Sequence, residues 1–182
     1  MNSSRLFTKL AKLSLLFAYL IVLAGGFVRM TGSGMGCPDW PKCFGLFIPP
    51  TSISQITWQE NISYDNNQML IHNDTLWVAK SDFISNIKFN RENWDSYKKH
   101  NYTKFNVFHT WAEYINRCIG AITGLFVLAL FLTSIFKRNT IYEFIGSLGL
   151  LILFLLQAWI GGEVVFSVLN PFKITIHMFV AL

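Results

Sequence analysis

Charge is scarce in this chain. Only 14% of its 182 residues are Asp, Glu, Lys or Arg, against 52% hydrophobic and 16% aromatic, and the apolar residues come in long blocks. Such a composition excludes an ordinary soluble domain and points to a bilayer. Cysteine is scarcer still. Cys37, Cys43 and Cys118 are the whole complement, with no Cys-x-x-Cys spacing and no second pair, so the low-pKa dithiol of a disulfide oxidoreductase is missing. Histidine is equally sparse: His72 and His100 stand in a polar stretch without metal-ligand spacing and read as solvated surface groups. The net charge of +5 does not mark a nucleic-acid partner. Residues 31–107 balance basic against acidic side chains, and the excess lies in and beside the apolar blocks at Arg5, Lys9, Lys12, Arg29, Arg117, Lys137, Arg138 and Lys173. That distribution is a topology signal.

Four apolar segments are present, with helices expected over about 13–30, 108–136, 141–168 and 172–182. The first three approach or exceed the roughly 20 residues that a membrane crossing needs. The fourth is short and is expected to be an incomplete helix. The first segment has the basic lead of a signal peptide, but it ends in Gly25-Gly26-Phe27-Val28-Arg29 without a small-x-small cleavage site, so it reads as a retained helix. Basic residues before segment one, and Lys137 with Arg138 between segments two and three, place both on the cytoplasmic side. The expected fold is an all-α membrane protein, a four-helix transmembrane bundle with its last helix truncated and an extracytoplasmic loop over 31–107. A loop of that length is expected to fold into a small lid, with strand-like alternation visible in "DTLWVAK". Asn61-Ile-Ser, Asn73-Asp-Thr and Asn101-Tyr-Thr match the glycosylation sequon, a pattern that chance produces in an Asn-rich loop.

The loop begins "RMTGSGMGCPDWPKCFG", where Cys37 and Cys43 flank two prolines and a tryptophan. On an oxidising outer side such a pair is expected as a disulfide. It is either a staple for the loop or a redox pair exchanging electrons with the membrane. Cys118, inside segment two, reads as a packed thiol.

Segment two opens with an acid, an amide and a guanidinium. Glu113, Asn116, Arg117, Gly120 and Gly124 fall on one helix face. Ionisable groups at membrane depth are costly unless they face a partner or a cavity. Two uses fit the stripe: a Glu113–Arg117 ion pair backed by a glycine packing seam, or a site for a flat ligand against the backbone. Segment three adds Gln157, Gly161, Gly162 and Glu163, and segment four adds His177 at a similar depth. An imidazole in an apolar bundle with nearby arginines suits haem, with iron on His177 and propionates on Arg117 or on Arg29 at the outer end of segment one.

At these residues the chain resembles the haem A synthases. The matching stretches are "GGFVRMTGSGMGCPDWPKCFG", "EYINRCIGAITG" and "LLQAWIGGEVVFSVLNPFKITIHM", in that order, covering the four segments but not the long loop. The resemblance implies the N-terminal half of an eight-helix oxidoreductase that converts the C8 methyl of haem O to the formyl group of haem A by successive hydroxylations, for cytochrome oxidase biogenesis. It implies Glu113 as catalytic carboxylate, His177 as an iron ligand, Cys37 with Cys43 as the outer-loop pair, and a haem b in a second half. It also implies a bacterial cell membrane, with haem O synthase and a quinone or other electron acceptor as partners. One position departs from the family pattern. The histidine expected three residues after the glutamate is Asn116, a poor iron ligand. His109 shares the stripe but lies seven residues, about 10 Å of helical rise, nearer the surface. Two other classes stay open: a non-catalytic haem-binding, electron-transfer or assembly subunit, and a quinone-linked thiol–disulfide oxidoreductase, which would need the missing second cysteine pair.

Overall fold

The computed structural model describes residues 3–98, 104–136 and 140–181. Lys99, His100, the Asn101-Tyr-Thr sequon, Lys137, Arg138 and Leu182 lie outside them. Four α-helices are described: α1 Ser3–Met30, α2 Val107–Phe136, α3 Ile141–Phe166 and α4 Pro171–Ala181. Between α1 and α2 come five short strands: β1 Ser63–Tyr64, β2 Met69–His72, β3 Thr75–Ala79, β4 Phe83–Ile84 and β5 Trp94–Ser96. The chain divides into two compact units. One is helical (Met1–Thr31, Ile115–Val164 and Asn170–Leu182) and the other contains the strands (Gly32–Tyr114 and Val165–Leu169).

Among the described residues, Arg5–Met30, Val107–Phe136 and Ile141–Phe166 are each long and apolar enough to cross a membrane. At 11 residues α4 rises only about 17 Å, short of the roughly 30 Å hydrocarbon core. Consecutive helices touch. The Phe17 ring stands 4.9 Å from that of Phe126 between α1 and α2, and Ser147 donates to Ser134 Oγ at 2.9 Å between α2 and α3. Between α3 and α4, Gln157 Nε2 donates to the His177 carbonyl at 2.7 Å. Small hydroxyl side chains lie inside, with Ser14, Thr123, Ser134 and Ser147 buried, while Leu15, Leu23, Ile145, Trp159 and Phe179 are exposed. This is the inversion that a lipid solvent allows, because hydrocarbon outside removes the drive to bury leucine and small residues let backbones approach. Thr123 Oγ1 donates to the Ile119 carbonyl of its own helix at 2.7 Å and Ser134 Oγ to that of Phe131 at 2.6 Å, while Ser14 Oγ has no partner among the described residues. Gly124 gives Phe154 its place, since a Cβ there would stand 2.7 Å from the ring.

The strands correct the all-α expectation for the long segment. β2, β3 and β5 form one antiparallel sheet, and β1 with β4 another. The β2–β3 hairpin pairs His72 with Thr75 across Asn73 and Asp74, both at positive φ (48° and 53°). Asn and Asp tolerate that conformation, and a two-residue turn of this hand matches strand twist. The Asn73 sequon is thus the hairpin tip. The three-stranded sheet has cores on both faces. Met69, Ile71 and Leu76 join Cys37, Cys43, Phe44 and Ile56 on one side, and Leu70 and Trp77 join Tyr64, Ala79 and Trp94 on the other. Burial on both faces removes the alternation that would announce a strand in sequence.

Candidate functional site

The carboxylate comes first. Glu113 sits on the second turn of α2 and is 5% exposed. The backbone N–H of Cys37 donates to its Oε2 at 3.0 Å. What brings a loop amide to a helix carboxylate is the seating of residues 32–37 on the first turns of α2. Thr110 Oγ1 donates to the Gly36 carbonyl at 2.9 Å, and His109 Nδ1 lies 3.2 Å from the Gly32 carbonyl. Gly36 has to be glycine, because a Cβ there would overlap the backbone of His109 and Thr110. Farther along, Trp111 Nε1 donates to the Pro50 carbonyl at 3.2 Å.

Cys37 and Cys43 are joined in a disulfide. Both residues are fully buried among Phe44, Ile56 and Met69. The intervening turn is held by Asp39, whose carboxylate accepts from the N–H groups of Phe44 at 2.7 Å and Gly45 at 2.9 Å. Thiol–disulfide exchange needs access to a sulfur. A bond enclosed in a core favours the staple over the redox pair.

The remaining candidates belong to the helical unit. Asn116 and Arg117 follow Glu113 along α2 and are half-buried, while Arg29 is exposed in the last turn of α1. The Asn116 Oδ1 atom is buried without a hydrogen-bond partner among the described residues. It stands 3.8 Å from where a Cβ on Gly25 would be. On α3 the Gln157 Oε1 atom, and on α4 the His177 Nδ1 atom, are buried and unpartnered in the same sense. Gly161 leaves the imidazole room, since a Cβ there would lie 3.3 Å from His177 Cε1. Glu163 pairs with Lys173 Nζ at 2.7 Å, which fixes the start of α4 against the end of α3. Cys118 is a half-buried free thiol.

Buried polar atoms are nearly always satisfied; Ser14 Oγ and Trp94 Nε1 are also buried without a partner among the described residues, and the three atoms of Asn116, Gln157 and His177 lie on successive helices. No cluster of three or more His, Cys, Asp or Glu side chains among the described residues is arranged to hold a bare metal ion. Iron carried in a macrocycle asks less of the protein, one or two axial ligands and hydrogen-bond donors for its carboxylate edge; a ring nitrogen such as that of His177 suits the first, whereas the Asn116 and Gln157 oxygens are acceptors and do not pair with a carboxylate. Sequence reasoning found His177, Gln157 and Asn116 because polar residues stand out in apolar runs. The Cys37 amide and the Gly36 carbonyl were missed as partners, since main-chain groups have no side chain to advertise them, and Thr110 was missed because a single hydroxyl at the start of a helix does not stand out.

The long apolar helices define an integral membrane protein with polar groups set among them. The chain belongs to a family described as cytochrome oxidase assembly protein, whose sequence model matches residues 8–85 and 83–182. It is similar to the heme A synthase of Bartonella bacilliformis, 32% identical over 165 residues, covering 88% of this chain and 38% of the relative. It is also similar to that of Ehrlichia canis, 28% identical over 174 residues, 90% of this chain and 42% of the relative. A shorter match of 60 residues, 33% identical, joins it to the heme A synthase of Shewanella oneidensis, over 33% of this chain and 18% of that protein. The chain therefore spans about two fifths of the length of the relatives it matches end to end. No solved structure matches it.

Proposed function

We propose that this chain is the N-terminal part of a haem A synthase, a membrane oxidoreductase that takes the C8 methyl of haem O to the formyl of haem A for cytochrome oxidase. Its four helices belong to the first half of the bundle, with the segment 31–107 outside the cell membrane and the N-terminus in the cytoplasm. Haem O is the substrate, and a haem b belongs to the second half. His177 is an iron ligand, Arg117 and Arg29 are propionate partners, and Asn116 faces the iron-binding level without ligating strongly. Glu113 is the catalytic carboxylate. Withdrawing electrons from a methyl carbon on a conjugated ring builds positive charge there, which an adjacent carboxylate stabilises, and the same carboxylate accepts a proton from the water that supplies the oxygen. The electrons pass to a quinone or another acceptor.

The observation that carries this reading is the state of Glu113. A carboxylate 5% exposed, in the first turns of an apolar helix and oriented by a backbone amide, is what a preorganised catalytic group requires. The relatives' shared name supplies the chemistry. The test is haem extraction from cells that make haem O and express the full-length protein. Glu113→Ala is expected to retain haem O and to lower haem A at least ~100-fold. Near-normal haem A from that variant would remove Glu113 from catalysis. Haem O bound but unchanged by the unsubstituted protein would favour the non-catalytic haem-binding subunit.

A further inference from the structure

We infer that Gly36, Cys37 and Thr110 form a clamp that aims the Glu113 carboxylate, which makes Thr110 and Gly36 positioning residues of the reaction. Its consequence for turnover rests on the catalytic reading of Glu113, whereas its consequence for the carboxylate itself does not.

Three features fit together. First, the Cys37 N–H lies 3.0 Å from Glu113 Oε2, with the carboxylate 5% and the cysteine 0% exposed. A charge-assisted hydrogen bond in so dry a place is strong and sets direction as well as energy. Second, the amide is delivered by main chain that is fixed at the neighbouring residue. The Gly36 carbonyl accepts from Thr110 Oγ1 at 2.9 Å, and Thr110 is 1% exposed. Thr110 stands three residues before Glu113 on the same helix, so hydroxyl and carboxylate project from one face, a turn apart. One residue grips the loop and the other receives the amide. Third, the fit has no slack, because at Gly36 even a methyl group would overlap the backbone of His109 and Thr110. The Cys37–Cys43 bond then ties the donor residue itself to Cys43, with the Asp39 carboxylate holding the turn by accepting from the N–H groups of Phe44 and Gly45. On this account the disulfide acts by keeping an amide in place, and no electron passes through it.

The clamp is tested in the full-length protein, with intact disulfide verified by non-reducing mass spectrometry. The Glu113 carboxyl band is identified in the infrared spectrum by its loss in Glu113→Gln. Thr110→Val keeps the shape of the side chain and removes the hydroxyl; Gly36→Ala pushes the loop off the helix while leaving both cysteines. Both are expected to shift the Glu113 band. Both should also lower kcat for haem A formation, by about 10-fold for Thr110→Val and about 100-fold for Gly36→Ala, with KM for haem O within about twofold. Thr110→Ser, which restores the hydroxyl, should return band and rate together. If Gly36→Ala fails to fold, Thr110→Val with its serine rescue still decides the matter. An unmoved band in a folded Thr110→Val protein overturns the clamp. So does a shifted band with undiminished kcat while Glu113→Gln is inactive. An active Glu113→Gln enzyme would instead sink the catalytic reading, and the band shift alone would then decide whether the clamp exists.

Discussion

The two units bury opposite kinds of residue. In the β-containing unit Leu70, Ile56 and Phe44 are at or below 1% exposure, and the sheet lies between two apolar clusters. In the helical unit Leu15, Leu23 and Phe136 are more than half exposed, while serine and threonine lie within. One chain thus follows two rules, because each rule belongs to a solvent. Water drives apolar side chains together at roughly 25 cal/mol per Å². Hydrocarbon gives no such drive, and helices in it meet through close packing and hydrogen bonds. The surroundings of Glu113 and of the helical candidates differ in how polar atoms are met. Around Glu113 the donors and acceptors are matched between loop and helix, whereas Asn116, Gln157 and His177 each keep a buried atom without a partner. A matched site holds its geometry before anything binds.

Leucine provides the widest separation between the units. Leu70→Ala, at a fully buried position in the cluster around Trp94, is expected to destabilise the β-containing unit by ~2–5 kcal/mol. Leu23→Ala, at a position 69% exposed on α1, is expected to change stability by less than ~0.5 kcal/mol. Denaturant unfolding in mild detergent, followed by tryptophan fluorescence from the cluster around Trp94, reads the first; the same titration followed by helical circular dichroism reads the second. Equal losses would mean that one solvent governs both units.

Next in size is the disulfide. Closing a seven-residue loop, Cys37–Cys43, is expected to stabilise the β-containing unit by about 2–3 kcal/mol in the chain-entropy account. Cys43→Ser should therefore lower the midpoint of that unit and only partly reduce haem A formation. Complete loss of turnover in a normally folded Cys43→Ser protein would restore the redox reading. Smaller in energy, though visible in a spectrum, is Asn116→His. With asparagine at that position the substrate iron is expected to be five-coordinate or weakly six-coordinate, and a histidine there should give a low-spin bis-histidine signal. A bis-histidine signal in the unsubstituted protein, lost on His109→Ala, would mean that His109 leaves the Gly32 carbonyl for the iron.

The helices were legible because a membrane span needs a long run of one kind of residue. The expected 108–136 became Val107–Phe136 and the expected 141–168 became Ile141–Phe166. The first helix starts earlier than its apolar run, at Ser3, since Arg5, Lys9 and Lys12 are good helix formers whose charge does not end a helix. The strands were mostly hidden. They are two to five residues long, and β2 is buried at Met69, Leu70 and Ile71 in succession, so no alternation survives. Within the site, Glu113 and His177 were legible as polar residues in apolar runs, but their surroundings were not. The partner of Glu113 is a main-chain amide 76 residues away, and the space beneath His177 is the missing side chain of Gly161. Neither has a letter of its own in the sequence.

The smallest expected effect tests the helical unit on its own terms. Ser147 Oγ donates to Ser134 Oγ at 2.9 Å across α2 and α3, and both residues are buried. In water-excluded surroundings a lone hydroxyl pair is valuable, yet each serine also has an acceptor in its own helix, the Phe131 carbonyl 2.6 Å from Ser134 Oγ and the Phe144 carbonyl 3.1 Å from Ser147 Oγ. Removing one partner therefore leaves the other satisfied, and the coupling between them should be small. A double-mutant cycle of Ser134→Ala and Ser147→Ala, read by unfolding in detergent, is expected to give a coupling of ~0.6 kcal/mol, the ordinary size for interhelical hydrogen bonds in membranes. A coupling above ~2 kcal/mol would show that specific polar bonds hold these helices together. Packing at positions such as Gly124, where Phe154 sits against bare backbone, would then be secondary.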